Sequence, residues 1–323
     1  MSAGGPARLT VTLAHADLLE AVGHRLAGQG DQAAVRLVPW DMRGPLPGGT
    51  DPAEVDVVVV PNYFVTPDGL RRLRDLPNLR VIQLPSAGYE HAVAYVPAGV
   101  TLCNGRGVHD AGTAELAVAL TLASQRGVDD AVRAMAQGRW APVHRSSLAD
   151  RRVMVLGAGS IGGAIARRLE AFEVDVVLVG RKARDEAIGH VHGRDELATL
   201  VPTVDVVIVI VPLSPETAGL VDVEFLARMR DGALLVNVAR GKIVDTAALL
   251  AEVRSGRLRA ALDVTDPEPL PADHPLWRAP GVIITPHVGG FTDATTPRLV
   301  GLVLRQIGHL LAGREPVNVV LRA

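Results

Sequence analysis

The apolar residues of this chain fall in short, uninterrupted runs. "LTVTLA" (Leu9–Ala14), "AAVRLVPW" (Ala33–Trp40), "VDVVVVPNY" (Val55–Tyr63) and "LRVIQLPSAG" (Leu79–Gly88) are contiguous rather than alternating. Such runs suit the strands of a parallel sheet, which is covered on both faces. Between them lie "HADLLEAVGHRLA" (His15–Ala27) and "TPDGLRRLRDLP" (Thr66–Pro77), which have helical spacing. Strand alternating with helix predicts a doubly wound α/β sheet.

A second series then begins. "HDAGTAELAVALTLASQRGVDDAVRAMAQGRW" (His109–Trp140) reads as a long Ala-rich helix. Further strands are expected at "RVMVLG" (Arg152–Gly157), "VDVVIVIV" (Val204–Val211), "ALLVNVA" (Ala233–Ala239), "LRAALDV" (Leu258–Val264) and "GVIITP" (Gly281–Pro286). The last helical stretch, Pro297–Arg314, lies beyond the final strand of this series and is placed to fold back on the first. The expectation is α/β with two doubly wound parallel-sheet domains. Residues 1–104 plus 290–323 form one, and 105–289 form the other.

Composition narrows the class. A chain of 323 residues has room for two domains, and 48% hydrophobic with 21% charged residues is ordinary for a globular protein. A net charge of −2 gives no general attraction to nucleic acid or an anionic membrane. The single cysteine, Cys103, cannot form an internal disulfide. "MSAGGPARLTVTLAHAD" is too poor in apolar residues to read as a signal peptide, and no apolar run approaches a membrane span. A cytoplasmic protein with no nucleic-acid or membrane partner is expected.

Gly157, Gly159 and Gly162 stand in "GAGSIG" between a predicted strand and the helix "IGGAIARRLEAF" (Ile161–Phe172). That context turns a weak motif into a dinucleotide-binding turn. Gly157 permits the tight turn, Gly159 admits the pyrophosphate to backbone N–H groups, and Gly162 lets helix and strand approach. With Ser160 and Ile161 they open the helix, whose positive end favours phosphate. An acid is expected at the end of the second strand, to hold the ribose hydroxyl of NAD. Gly180 stands there instead, followed by Arg181, Lys182 and Arg184. Loss of the acid removes repulsion of a 2′-phosphate, and the arginine fork can pair with it. NADP(H) is therefore expected in preference to NAD(H).

Four segments of the C-terminal half carry sharper chemistry. They are "NVARGKIVD" (Asn237–Asp245), "ALDVTDPEPLP" (Ala261–Pro271), "HPLW" (His274–Trp277) and "ITPHVGG" (Ile284–Gly290). In this order after the glycine turn, they resemble the D-isomer-specific 2-hydroxyacid dehydrogenase family. "LPSAGYEHA" (Leu84–Ala92) resembles its substrate-carboxylate loop and "VPLSPET" (Val211–Thr217) its cofactor-side loop. "GRKAR" resembles its NADP-preferring branch, which includes glyoxylate/hydroxypyruvate reductases.

The resemblance implies a Rossmann-type cofactor domain and a flavodoxin-like substrate domain, with the site in the cleft between them. It implies a catalytic trio: Arg240 on the substrate, His287 as acid–base, and Glu268 as the carboxylate beside it. Ser86, Ala87 and Gly88 would bind the substrate carboxylate. Val211, Pro212, Val238, Ala239, Asp263 and Gly289 would line the cofactor. Reduction of a 2-keto acid needs a proton at the carbonyl oxygen, and an imidazole can supply it near neutral pH. A carboxylate beside it favours the imidazolium form. The implied substrate is a small 2-keto or D-2-hydroxy acid, with glyoxylate or hydroxypyruvate favoured. Alternatives are a relative acting on formate or phosphite, or a nucleotide-sensing binding protein like the family's corepressor branch. A homodimer is implied, with Thr113–Met135 as its contact.

His190 and His192, in "GHVHGRD" (Gly189–Asp195), read as exposed loop positions without metal-site spacing, so no metal is expected. Trp277 reads as a packing residue, and Trp140 as one that packs locally or reaches a partner subunit.

Overall fold

The computed structural model describes residues 8–61 and 65–323; the expected strand residues Asn62 and Tyr63 lie outside them. The elements run β1 (Leu9–Leu13), α1 (Ala16–Gln29), β2 (Val35–Pro39), β3 (Val57–Val59), α2 (Pro67–Arg71), β4 (Val81–Gln83) and β5 (Thr101–Cys103). Next come α3 (Asp110–Arg126), α4 (Val128–Met135), β6 (Arg152–Leu156), α5 (Ser160–Leu169), β7 (Asp175–Val179), β8 (Arg184–Glu186), β9 (Gly189–His192) and α6 (Leu197–Leu200). After these come β10 (Val206–Val209), α7 (Val223–Arg228), β11 (Leu234–Asn237), α8 (Thr246–Arg254), β12 (Arg259–Leu262), β13 (Val282–Ile284), α9 (Thr295–Leu311) and β14 (Val319–Arg322). One compact unit comprises the chain up to His109 together with Asp293–Ala323. The other is Asp110–Thr292.

The first unit is a six-stranded sheet in the order β14-β5-β4-β3-β1-β2. Strands β1 to β5 are parallel in the flavodoxin-like order, and β14 adds an antiparallel edge against β5. Both faces of this sheet are dry. Leu9, Val11, Leu13, Val57 and Val59 pack with Leu18, Val22 and Leu26 of α1 and with Leu302, Val303 and Ile307 of α9. Val58, Val60, Ile82, Leu84 and Leu102 pack on the opposite face with Leu70 and Leu73. This two-sided burial is why the strand runs are continuous. Cys103 is fully buried and accepts a bond from Gln306 Nε2 at 3.3 Å. Burial pushes its thiol pKa up to about 11, so it is an inert core group.

The second unit is an eight-stranded sheet in the order β13-β12-β11-β10-β6-β7-β9-β8, parallel except for the edge strand β8. Successive residues of the central strands serve opposite cores. Met154, Leu156, Val207 and Val209 face Phe225, Leu226, Leu249 and Val253 of α7 and α8. Val153, Val155, Val206 and Ile208 face Ala114, Ala117 and Leu120 of α3 and Ile165 and Leu169 of α5. The strand order reverses between β6 and β10, and such a switch point opens a crevice at the carboxyl ends of the strands.

Two expectations are revised here. The long Ala-rich helix is two helices, because Gly127 adopts a left-handed φ of 63°. Ala111, Ala114, Ala117 and Ala134 are buried inside the unit, while Val128, Val132 and Met135, on one face of α4, are exposed. Gly189–His192 is a strand and not a loop. It was hidden because only Val191 of its four residues is buried. Among the described residues, no helix is long and apolar enough to cross a membrane.

Candidate active site

The glycine turn sits at the carboxyl end of β6, at the switch point. Gly157 has φ 127°, and a Cβ there would stand 2.5 Å from the Ile210 carbonyl oxygen. A Cβ on Gly162 would lie 1.8 Å from the Gly157 oxygen, so only glycine lets α5 start this close to the strand. Gly159, by contrast, faces open space. Its backbone precedes the first turn of α5, which begins at Ser160. Ser160 Oγ is tied to Asp110 Oδ1 at 3.2 Å, and Ile161 is partly buried. An open glycine at a helix N-terminus fits a pyrophosphate, because unpaired N–H groups point outward there.

The residues after β7 form the next wall. Gly180 N–H donates to the His192 carbonyl at 2.9 Å, which joins this loop to β9. A Cβ at 180 would meet Arg184 Nη1 at 2.7 Å and Val191 Cγ1 at 2.9 Å. Arg184 donates to Glu186 Oε1 at 2.5 Å and to the Ala158 carbonyl at 3.1 Å, so it braces the glycine turn itself. Arg181 and Lys182 are exposed. Glu216, across the loop after β10, is held below the usual carboxylate range by the Ser214 hydroxyl first, and also by the charges of Arg181 and Arg194. Nothing in the sequence marks Arg194, whose charge only the fold brings within range of Glu216. Val211 is partly buried and Pro212 exposed, and the Pro212 carbonyl accepts from Thr217 Oγ1 at 2.6 Å.

Arg240, Glu268 and His287 come from the carboxyl ends of β11, β12 and β13. Val238 and Ala239 are buried, and Asn237 clamps the turn that follows them. Asn237 Oδ1 accepts from Ala239 N at 3.1 Å, and its Nδ2 donates to the Arg240 carbonyl at 3.0 Å. A Cβ on Gly241 would stand 1.9 Å from the Thr265 carbonyl oxygen. The Arg240 turn therefore rests directly on the backbone that leads to Glu268. Thr246 Oγ1 pins the same segment through the Asp266 carbonyl at 2.9 Å.

Glu268 Oε1 lies 2.5 Å from His287 Nδ1, with both side chains about two-fifths exposed (41% and 43%). The hydrogen bond with His287 holds the Glu268 carboxyl below the usual carboxylate range, against partial burial. The charges of His287 and Arg240 and a backbone bond at Thr265 add to it.

His287 has φ 55°, a left-handed conformation that costs a side-chain-bearing residue about 1–3 kcal/mol. Asp263, only 2% exposed, holds it there. One carboxylate oxygen accepts from Thr285 Oγ1 at 2.6 Å and Val288 N at 2.9 Å, the other from Gly289 N at 2.9 Å. The Asp263 carbonyl accepts from His287 N at 2.8 Å. Asp263 thus positions His287 through its backbone, a role that "ALDV" alone does not disclose.

In the first unit, Ser86 Oγ donates to the Gly88 carbonyl at 2.7 Å and shapes its own turn. The Ser86 carbonyl accepts from Gly105 N and the Ala87 carbonyl from Asn104 Nδ2, each at 2.7 Å. A trans peptide points its N–H opposite its C=O. The N–H groups of Ala87 and Gly88 are therefore turned away from Gly105 and Asn104. Elsewhere, Trp277 is 49% exposed and donates from Nε1 to the Pro271 carbonyl at 2.8 Å, while Trp140 is 97% exposed.

Comparison with known proteins agrees with this geometry. Residues 118–289 match the family model described as D-isomer specific 2-hydroxyacid dehydrogenase, NAD binding domain. The chain is 35% identical over 246 residues to a glyoxylate reductase/hydroxypyruvate reductase of Mus musculus, covering 73% of this chain and 74% of the relative. A D-isomer specific 2-hydroxyacid dehydrogenase of Xanthobacter autotrophicus Py2, solved with NADPH and MES, superposes with a TM-score of 0.82 at 31% identity, covering 98% of each chain. An NADPH-dependent glyoxylate/hydroxypyruvate reductase of Sinorhizobium meliloti, solved with NADP and malonate, superposes with a TM-score of 0.75 at 27% identity, covering 98% of this chain and 97% of that one. A glycine turn at the switch point, a paired histidine and carboxylate beyond the carboxyl ends of strands of the same sheet, and a family match over half the chain lead to one conclusion: this protein belongs to the D-isomer-specific 2-hydroxyacid dehydrogenases, a family of oxidoreductases.

Proposed function

We propose that the protein reduces small 2-keto acids to D-2-hydroxy acids with NADPH, glyoxylate and hydroxypyruvate foremost. The observation that carries this reading is the 2.5 Å His287–Glu268 pair within reach of the Arg240 charge. When bound, the dihydronicotinamide supplies the hydride. The second unit holds it, with the Gly159 opening and α5 taking the pyrophosphate, and Val211, Pro212, Val238, Ala239, Asp263 and Gly289 lining its path. Arg240 binds the substrate carboxylate and polarises the carbonyl. His287 delivers the proton to the carbonyl oxygen, and Glu268 keeps the ring oriented. By the family resemblance, the N–H groups of Ala87 and Gly88 are further assigned to the substrate carboxylate.

A panel of glyoxylate, hydroxypyruvate, pyruvate and bulkier 2-keto acids, with formate and phosphite as controls in the oxidative direction, tests this. Saturable NADPH consumption is expected with the two small substrates. Turnover with formate or phosphite alone, or NADPH binding with no turnover, would overturn it.

Two substitutions separate the roles. Arg240→Lys keeps the charge but loses the planar fork. Loss of one charge-assisted hydrogen bond is worth about 1.5 kcal/mol, so kcat/KM for glyoxylate should fall about tenfold. Parent-like kinetics across the panel would remove Arg240 from substrate binding. Glu268→Gln should act on turnover rather than on cofactor affinity. Glutamine keeps the size of the side chain but loses the charge-assisted contact that orients the His287 ring. Loss of about 1.5 kcal/mol at that contact should lower kcat for glyoxylate about tenfold with NADPH binding unchanged. Parent-like turnover, with His287 still essential, would uncouple the pair.

The protein is further proposed to form a homodimer through α4. Val128, Val132 and Met135 share one face and are 50%, 53% and 72% exposed. Arg133, between them, is tied to Asp129 and Asp130 and leaves that face apolar. Sedimentation should give twice the chain mass, and Val132→Glu should give the monomer.

A further inference from the structure

We propose that His190, His192 and Glu196 form a binding site for a divalent cation of the zinc class, with Asp185 behind His190. His190 and His192 are two apart on β9, so they share one face while Val191 turns into the core. Their rings stand nearly perpendicular, at 83°, with centroids 4.8 Å apart. Glu196 reaches the same point from the turn after the strand. One donor atom from each of the three lies within 4.8 Å of the others. Donors at zinc distances of about 2.0–2.2 Å stand roughly 3.3–3.6 Å apart in a tetrahedral set. Side-chain rotation closes that gap, since the His190, His192 and Glu196 side chains are 51%, 28% and 38% exposed.

The surroundings favour a cation further. Asp185 Oδ1 lies 2.7 Å from His190 Nδ1. A carboxylate accepting Nδ1–H leaves the lone pair on Nε2, the arrangement that orients ligating histidines in metal sites. Glu196 Oε1 accepts the Gly193 N–H at 2.8 Å, while Oε2 lies 2.8 Å from His192 Nδ1. A cation would replace that second contact by bridging the two groups. Two imidazoles and one carboxylate suit zinc rather than calcium or magnesium.

The location gives the site a consequence. The His192 carbonyl accepts from Gly180 N–H, and Val191 pairs with Arg184 on β8. A bound cation ties the β8–β9 hairpin to the Gly193–Glu196 turn, and so steadies the loop that starts at Gly180. The cation site does not depend on which nicotinamide cofactor is used.

Zinc titrated into cofactor-free protein, by calorimetry and by competition with a chromogenic chelator, tests this. One Zn²⁺ per chain is expected in the micromolar range, with slower amide exchange across residues 184–192. His190→Asn and His192→Asn should each weaken binding at least tenfold, and Asp185→Asn by about tenfold, as for loss of an orienting partner. His287→Ala should bind zinc as the parent does, which separates this site from the His287–Glu268 pair. No saturable binding by the parent would overturn the proposal, as would undiminished binding by a folded His190→Asn/His192→Asn double variant.

Discussion

His287→Ala is expected to lower kcat for keto-acid reduction by about 10²–10⁴-fold, the range for losing a positioned acid or base. The reason is geometric as much as chemical. The ring is held by Glu268 on one side, and its backbone is fixed in a left-handed turn by four bonds to Asp263. Alanine removes the proton donor and leaves that frame standing, so NADPH binding and the unfolding midpoint should stay close to the parent's. Steady-state kinetics with glyoxylate, paired with NADPH fluorescence titration, checks both halves. Turnover within threefold of the parent would remove His287 from the mechanism.

The second large effect concerns the cofactor. One hydrogen bond to a charged group is worth roughly 1.5–3 kcal/mol, so a single arginine–phosphate contact implies about 10–150-fold preference for NADPH over NADH in kcat/KM. The structure divides the basic loop into parts. Arg184 is engaged with Ala158 and Glu186, which makes it a brace. Arg181 and Arg194 are the charges that reach Glu216. Arg181→Ala should therefore remove most of the preference while NADH kinetics change little. Gly180→Asp should weaken NADPH use further, because its carboxylate repels the 2′-phosphate and competes for Arg184, whose guanidinium lies 2.7 Å from the Cβ position. Equal or better kcat/KM with NADH in the parent would refute this account of the loop.

The parts of this protein legible in its sequence are those written locally. Val153–Leu156 and Val206–Val209 are covered on both faces, so each reads as an unbroken apolar run. Gly157 and Gly162 are needed for contacts within five residues of each other or with the adjoining strand. Arg240, Glu268 and His287 sit in short segments whose residue types and order carry the resemblance. The illegible parts are long-range. Asp263 holds His287 from 24 positions away, and nothing in "ALDV" marks its carboxylate as a clamp. The closeness of Gly241 to Thr265 exists only once β11 and β12 are paired. Strands β8 and β9 lie at the sheet edge with mostly exposed side chains, so they lack the hydrophobic period that reveals a strand. Gly127 could be tolerated inside a helix; its left-handed φ, which divides α3 from α4, is set by the fold.

The most direct test of the central claim is the product formed from hydroxypyruvate and NADPH. The protein is expected to consume one NADPH per hydroxypyruvate reduced and to release D-glycerate alone, as resolved by chiral chromatography. L-glycerate, a racemic product, or NADPH that stays unconsumed with hydroxypyruvate and glyoxylate alike would contradict it.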